Sequence, residues 1–177
     1  MDLSIDQLDR ATEADFIDSV APLFEGAPRF LTRLAAARPF GSVKRMFDRA
    51  VEIAMAMPED EQIELVDAHP RLGAAPESVS QMSFSEQGYG RQGEPSEGSP
   101  ERDRIAEDLE RLNDAYEERF GFRYCVFVAG RSRAALVPEM EAALQRRREE
   151  ELVRALGDVI AIAEARYGVV RAEASRR

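Results

Sequence analysis

Residues 42–73 read SVKRMFDRAVEIAMAMPEDEQIELVDAHPRLG, and the reading of this stretch decides the fold class. Ser42 offers a hydroxyl to the free amides of a helix start. Val43, Met46, Phe47, Ala50, Ile53, Ala54 and Met57 then recur at three- and four-residue steps, a stripe suited to face a core. Pro58 needs no amide donor in a first helical turn, and Glu59, Asp60 and Glu61 suit the positive end of the helix dipole. A second helix carrying Ile63, Leu65 and Val66 therefore follows at once. It ends near His69-Pro70, because the residue before a proline is disfavoured in the α region.

The same grammar extends in both directions. Upstream, Ser4-Ile5-Asp6-Gln7 and Thr12-Glu13-Ala14-Asp15 are helix starts, the second opening a helix through Phe16, Val20 and Phe24. A short helix follows Pro28 with Phe30, Leu31, Leu34 and Ala35 on its buried side, and Arg38-Pro39-Phe40 turns the chain. Downstream, from Gly73 to Pro100, Gly, Ser, Pro, Glu and Gln dominate, which predicts one long functional loop. Within it Ser83-Phe84-Ser85-Glu86-Gln87 reads as the start of a short helix, and residues 90–100 read as a mobile insert. Residues 101–120 are helical again, with Ile105, Leu109, Leu112, Ala115 and Tyr116 on one stripe and Gly121 as the stop. Tyr124, Cys125, Val126, Phe127 and Val128 have strand-like composition but stand alone, so an extended connection is expected there. Helices over 132–147 and 149–171 complete an all-α single domain, 1–177, of seven to nine helices.

Composition narrows the function. The 177 residues carry 24 basic and 34 acidic side chains, a net charge of −10 that opposes nonspecific binding to nucleic acid or anionic lipid. Cys125 is the only cysteine, which excludes an intrachain disulfide and a thiolate zinc site and suits a reducing compartment. With His69 the only histidine, metal chemistry would fall to carboxylates alone. No apolar run approaches the ~20 residues of a membrane span, and the first residues lack a signal-peptide layout. A cytoplasmic protein with no membrane partner is expected. No Gly-rich nucleotide motif occurs.

A lone histidine at a helix exit has a structural reading, capping the last carbonyls. Its setting, Asp67-Ala68-His69-Pro70-Arg71-Leu72-Gly73, also leads into a loop bearing Glu86, and imidazole with a carboxylate is the minimal pair for moving a proton near neutral pH. Glu86 by itself reads as a helix-start acid behind a Ser83 cap. Arg146-Arg147-Arg148 reads as a solvated basic run at a helix end. Arg166 shares a helix with Ile162, Ala163, Val169 and Val170, where a buried guanidinium needs an anionic partner.

The strings His69-Pro70-Arg71-Leu72-Gly73, Ser83-x-x-Glu86-Gln87, Tyr116-Glu117-Glu118-Arg119-Phe120-Gly121-Phe122 and Ile162-x-x-x-Arg166, in this order and with Arg38-Pro39-Phe40 and Ser42 upstream, resemble those of the OHCU decarboxylases. OHCU is 2-oxo-4-hydroxy-4-carboxy-5-ureidoimidazoline, which stands between urate and allantoin. The resemblance implies an all-helical homodimer without metal or organic cofactor that decarboxylates OHCU to (S)-allantoin. It makes His69 and Glu86 catalytic. It makes Pro70, Ser83, Phe84, Ser85, Gln87 and Arg166 substrate-binding, with the backbone of Tyr124, Cys125, Val126, Phe127 and Val128 against the ring. The chain departs from the family pattern at Arg71, where most members carry an acid, at Gly88-Tyr89, and in the richness of the 90–100 insert in Gly, Pro and Glu. A related ureido or carboxylated heterocycle as substrate, or a helical dimer that binds a ligand without turnover, are the alternatives.

Overall fold

The computed structural model describes residues 3–88, 96 and 98–176. Among them it is all-α: α1 (Ile5–Arg10), α2 (Glu13–Val20), α3 (Pro28–Ala36), α4 (Val43–Ala56), α5 (Glu59–Asp67), α6 (Gln81–Glu86), α7 (Pro100–Phe120), α8 (Arg133–Ala143) and α9 (Arg148–Ala174). Short 3-10 turns lie at Ala21–Phe24 and Pro76–Ser78. The chain divides into two compact units, Met1–Ala68 with Leu156–Arg177, and His69–Ala155, and α9 contributes residues to both. No helix among the described residues is long and apolar enough to cross a membrane.

In the first unit two of the caps expected from sequence form, whereas Ser4 precedes α1 without a side-chain capping bond. Thr12 accepts the Asp15 amide at 3.1 Å to start α2, and Ser42 accepts the Arg45 amide at 3.2 Å to start α4. The α4 stripe buries Met46, Phe47, Ala50 and Ala54, while Val43 and Ile53 are half-buried at its margins. Phe16, Val20, Phe30, Leu31, Leu34 and Ala35 complete this core from α2 and α3. Arg38 ties the end of α1 down, donating from Nη1 to the carbonyls of Leu8 (3.0 Å) and Ala11 (2.7 Å) with its guanidinium 4.7 Å from the Phe16 ring centre. α5 stops before His69-Pro70, as the proline rule requires.

The second unit is organised by α7. Ser99 caps it, Pro100 is its first residue, and Gly121, at φ +78°, ends it by donating its amide to the Glu117 carbonyl at 2.8 Å. Around that end Tyr116 meets Phe120, Phe122 and Tyr124 edge-on, with ring centres 4.5, 5.7 and 5.1 Å away. Residues 124–128 form neither helix nor strand, so a connection and not a sheet lies where the strand-like composition falls. One local expectation fails. α6 begins at Gln81 because Ser80, not Ser83, accepts the capping bond, from the Ser83 amide at 3.1 Å. Glu86 is therefore the last residue of a helix rather than a helix-start acid. Of the insert expected over 90–100, residues 90–95 and 97 lie outside the described residues.

Candidate active site

His69 is 3 % exposed and opens the turn that follows α5. Side chains from three directions hold the backbone of that turn. Arg123 donates from Nη1 to the His69 carbonyl at 3.1 Å. The Gln87 carboxamide spans the far side, accepting the Gly73 amide at 2.8 Å and donating to the Arg71 carbonyl at 3.2 Å. Asn113 of α7 donates to the Leu72 carbonyl at 3.0 Å. Gly73 is needed where it stands: its φ is +81°, and a Cβ would come within 2.9 Å of Leu109 Cδ1. A turn fastened at four backbone groups fixes the direction in which the His69 side chain leaves the main chain, and a fixed direction is what a proton-transfer group requires.

The remaining candidates of this unit are Pro70, residues 83–87 in and just after α6, and segment 124–128. Ser83 and Gln87 are buried; Pro70, Phe84 and Glu86 are half-buried. Ser85 is exposed and donates its hydroxyl to the Gln81 carbonyl at 3.1 Å, one turn back. Tyr124, Cys125 and Val128 are buried, with Val126 and Phe127 half-buried between them. Beside this segment lies a charged core. Glu151, with a fully inaccessible side chain, takes Arg154 at 2.8 Å, Arg146 at 2.8 Å and the Tyr116 hydroxyl at 2.8 Å. Burial alone would push the Glu151 carboxyl up, but hydrogen bonds from Arg154, Arg146 and Tyr116 outweigh it and hold the group below its ordinary value. Burial and the bond to Glu151 raise the Tyr116 hydroxyl well above the usual phenol range, so it stays a donor.

A family model described as OHCU decarboxylase matches residues 9–168. The chain belongs to the OHCU decarboxylase family. The 2-oxo-4-hydroxy-4-carboxy-5-ureidoimidazoline decarboxylase of Haloferax volcanii is 31 % identical over 172 residues, covering 93 % of this chain and 94 % of its own. The uric acid degradation bifunctional protein PucL of Bacillus subtilis is 28 % identical over 170 residues, which are 96 % of this chain and 33 % of that longer protein. A crystal structure of an OHCU decarboxylase in the presence of (S)-allantoin superposes with a TM-score of 0.66 at 20 % identity, over 88 % of this chain and 98 % of that one, a likeness of fold.

Arg71 is one of the positions expected to depart from the family's pattern, and the structure shows how its charge is met. Its guanidinium lies along α7, with Nε and Nη2 on the Glu117 carboxylate at 2.7 and 2.6 Å and Nη1 on Asp114 at 3.0 Å. The extra cation is answered by two acids one turn apart. Arg166 belongs to the first unit. It is 3 % exposed, pairs with Glu25 at 2.9 Å, and donates from Nη1 to the carbonyls of Pro22 (3.1 Å) and Leu23 (3.3 Å). The buried guanidinium does have the anionic partner that its apolar setting demands.

Sequence reasoning missed Glu151, Arg154 and Asn113. Glu149, Glu150 and Glu151 all read as acids suited to a helix start, yet only Glu151 continues a stripe with Ala155 and Val159 at four-residue steps. Asn113 sits four residues after Leu109 on the same buried face of α7. The basic run 146–148 also proved to be more than a solvated helix end. Arg146 holds Glu151, and Arg148 donates to the Phe120 carbonyl at 2.8 Å while Arg147 stays exposed beside Glu149 and Glu150.

Proposed function

We infer that this chain decarboxylates OHCU to (S)-allantoin in urate degradation, and the observation that carries the reading is the family match over residues 9–168. The chemistry suits a protein that supplies only positioned groups. The departing carboxylate is attached to a carbon that bears a hydroxyl and adjoins a ring imine. When that carbon–carbon bond breaks and carbon dioxide leaves, the electron pair enters the imine, and a proton delivered to one face of the ring gives one enantiomer. His69, held in its fastened turn, is the general acid/base at the reacting centre, and Glu86 orients it or relays the proton. Pro70, Ser83, Phe84, Ser85, Gln87 and Arg166 bind the substrate, and the backbone of residues 124–128 meets its ring. Because Glu117 and Asp114 already neutralise Arg71, that departure from the family pattern gives no reason to prefer a more anionic relative of OHCU. The chain acts as one functional domain, in the cytoplasm, as a homodimer.

The test is to supply freshly generated intermediate from urate oxidation and follow circular dichroism for chiral allantoin. Wild type should give one enantiomer. A folded His69→Asn variant should lose stereoselective turnover altogether, and wild-type rates in that variant would remove His69 from the mechanism.

A further inference from the structure

Segment 124–128 is held by two arginines, and both grip it through carbonyl oxygens. Arg154, its Nε and Nη2 committed to Glu151 at 2.9 and 2.8 Å, donates from Nη1 to the Cys125 carbonyl at 2.9 Å and lies 4.9 Å from the Tyr124 ring centre. Arg131 donates from Nη2 to the Phe127 carbonyl at 2.5 Å and from Nε to the Val128 carbonyl at 3.0 Å, and its Nη1 pairs with Glu139. Arg131 reaches back because the chain reverses through Ala129 and Gly130, at φ +49° and +79°, with the Arg131 amide bonded to the Val128 carbonyl at 3.0 Å. A left-handed alanine costs free energy that the surrounding contacts must offset, which marks this reversal as a constrained feature.

A trans peptide is planar, with its N–H antiparallel to its C=O. Fixing the Cys125 carbonyl on Arg154 therefore turns the Val126 N–H away from that guanidinium, and fixing the Phe127 carbonyl on Arg131 turns the Val128 N–H away in the same manner. The two amides belong to alternate peptides of the segment, and each points away from the arginine that holds its own carbonyl. We propose that Arg154 and Arg131 are positioning residues that set the Val126 and Val128 amides as a donor pair for carbonyl groups of the ligand. This rests on the reading that the backbone of 124–128 meets the substrate. Glu151 is part of the device: it absorbs the charge of Arg154 through Nε and Nη2 and leaves Nη1 to aim at the peptide. A lysine could neutralise Glu151 but could not hold both partners in that fork.

The experiment uses Arg131→Gln and Arg154→Lys in the full chain, with three readouts. In the ligand-free, ¹⁵N-labelled protein, Val126 and Val128 amide resonances should shift and exchange faster while those of the 69–73 turn stay in place; unmoved 126 and 128 amides overturn the proposal whatever the enzyme's activity. With (S)-allantoin as probe, each variant should bind about tenfold more weakly, and KM for OHCU should rise while kcat stays within ~2-fold and the pH profile keeps its shape. A fall in kcat at unchanged KM would overturn it too. If Arg154→Lys does not fold, Arg131→Gln still decides, since the Arg131 side chain is 36 % exposed and bears no buried charge partner. Wild-type protein without OHCU turnover would remove the functional reading instead, and the amide resonances would still judge the positioning role.

Discussion

Arginine meets carboxylate in both units of this protein, in opposite surroundings. Between α3 and α5, Arg29 contacts Asp60 and Glu64 while Arg33 forks onto Glu61 at 2.6 and 2.9 Å, and the two arginine side chains remain 43 % and 47 % exposed. Beside residues 124–128, Arg154 and Arg146 converge on a Glu151 that solvent does not touch. The exposed pairs lose little hydration and gain little, because water and salt screen them. The buried carboxylate loses its hydration entirely, so it is tolerable only while every donor stays in place, and removal of one partner strands the others. The same residue types therefore dress a surface between α3 and α5 and fix a geometry beside residues 124–128.

The contrast can be broken most directly at Glu151. Glu151→Ala strands Arg154 and the Tyr116 hydroxyl and should cost about 3–5 kcal/mol in urea denaturation, whereas a loss below about 1 kcal/mol would make the cluster no different from a surface pair. Acid provides a finer test. The folded carboxyl of Glu151 is held below its ordinary value, so its contribution is complete above the usual carboxylate range and fades as the pH falls through the depressed folded value. The stability gap between wild type and Glu151→Gln should accordingly be widest near neutrality and close on acidification. A gap that widens toward acid would reverse the assignment. The smallest effect belongs to Arg33→Gln, whose melting temperature should stay close to wild type. Whatever difference remains should vanish near ~1 M salt, where screening acts within ~3 Å. A large, salt-insensitive loss would show that the α3–α5 pairs are structural after all.

Much of the helical framework was legible because caps and stripes are local. Thr12, Ser42, Pro58, Gly121 and the 46–50–54 spacing each specify conformation through neighbours within four residues. The short α6 was misread for the same reason. Ser80 and Ser83 are equally plausible caps in sequence, and only the fold shows that Ser80 accepts the bond. His69 at a helix exit was also visible, since the His-Pro step ends a helix. The side chains that hold the turn were not. Arg123, Asn113 and Gln87 lie between 14 and 54 positions away from the groups they bind, and no periodicity links them.

By itself the sequence determined an all-α chain, the ends of most helices, the exclusion of an intrachain disulfide, and, through its motif order, the family. Tertiary structure alone decided which of three consecutive glutamates is buried, that Arg71 turns onto Glu117 and Asp114, and that Arg154 and Arg131 aim the peptides of residues 124–128. The reason is physical. Helical periodicity is a property of φ and ψ repeated every 3.6 residues, so it can be read one turn at a time. The fate of a charged group depends on the dielectric and the donors that distant segments bring to it, and these exist only once the chain has packed.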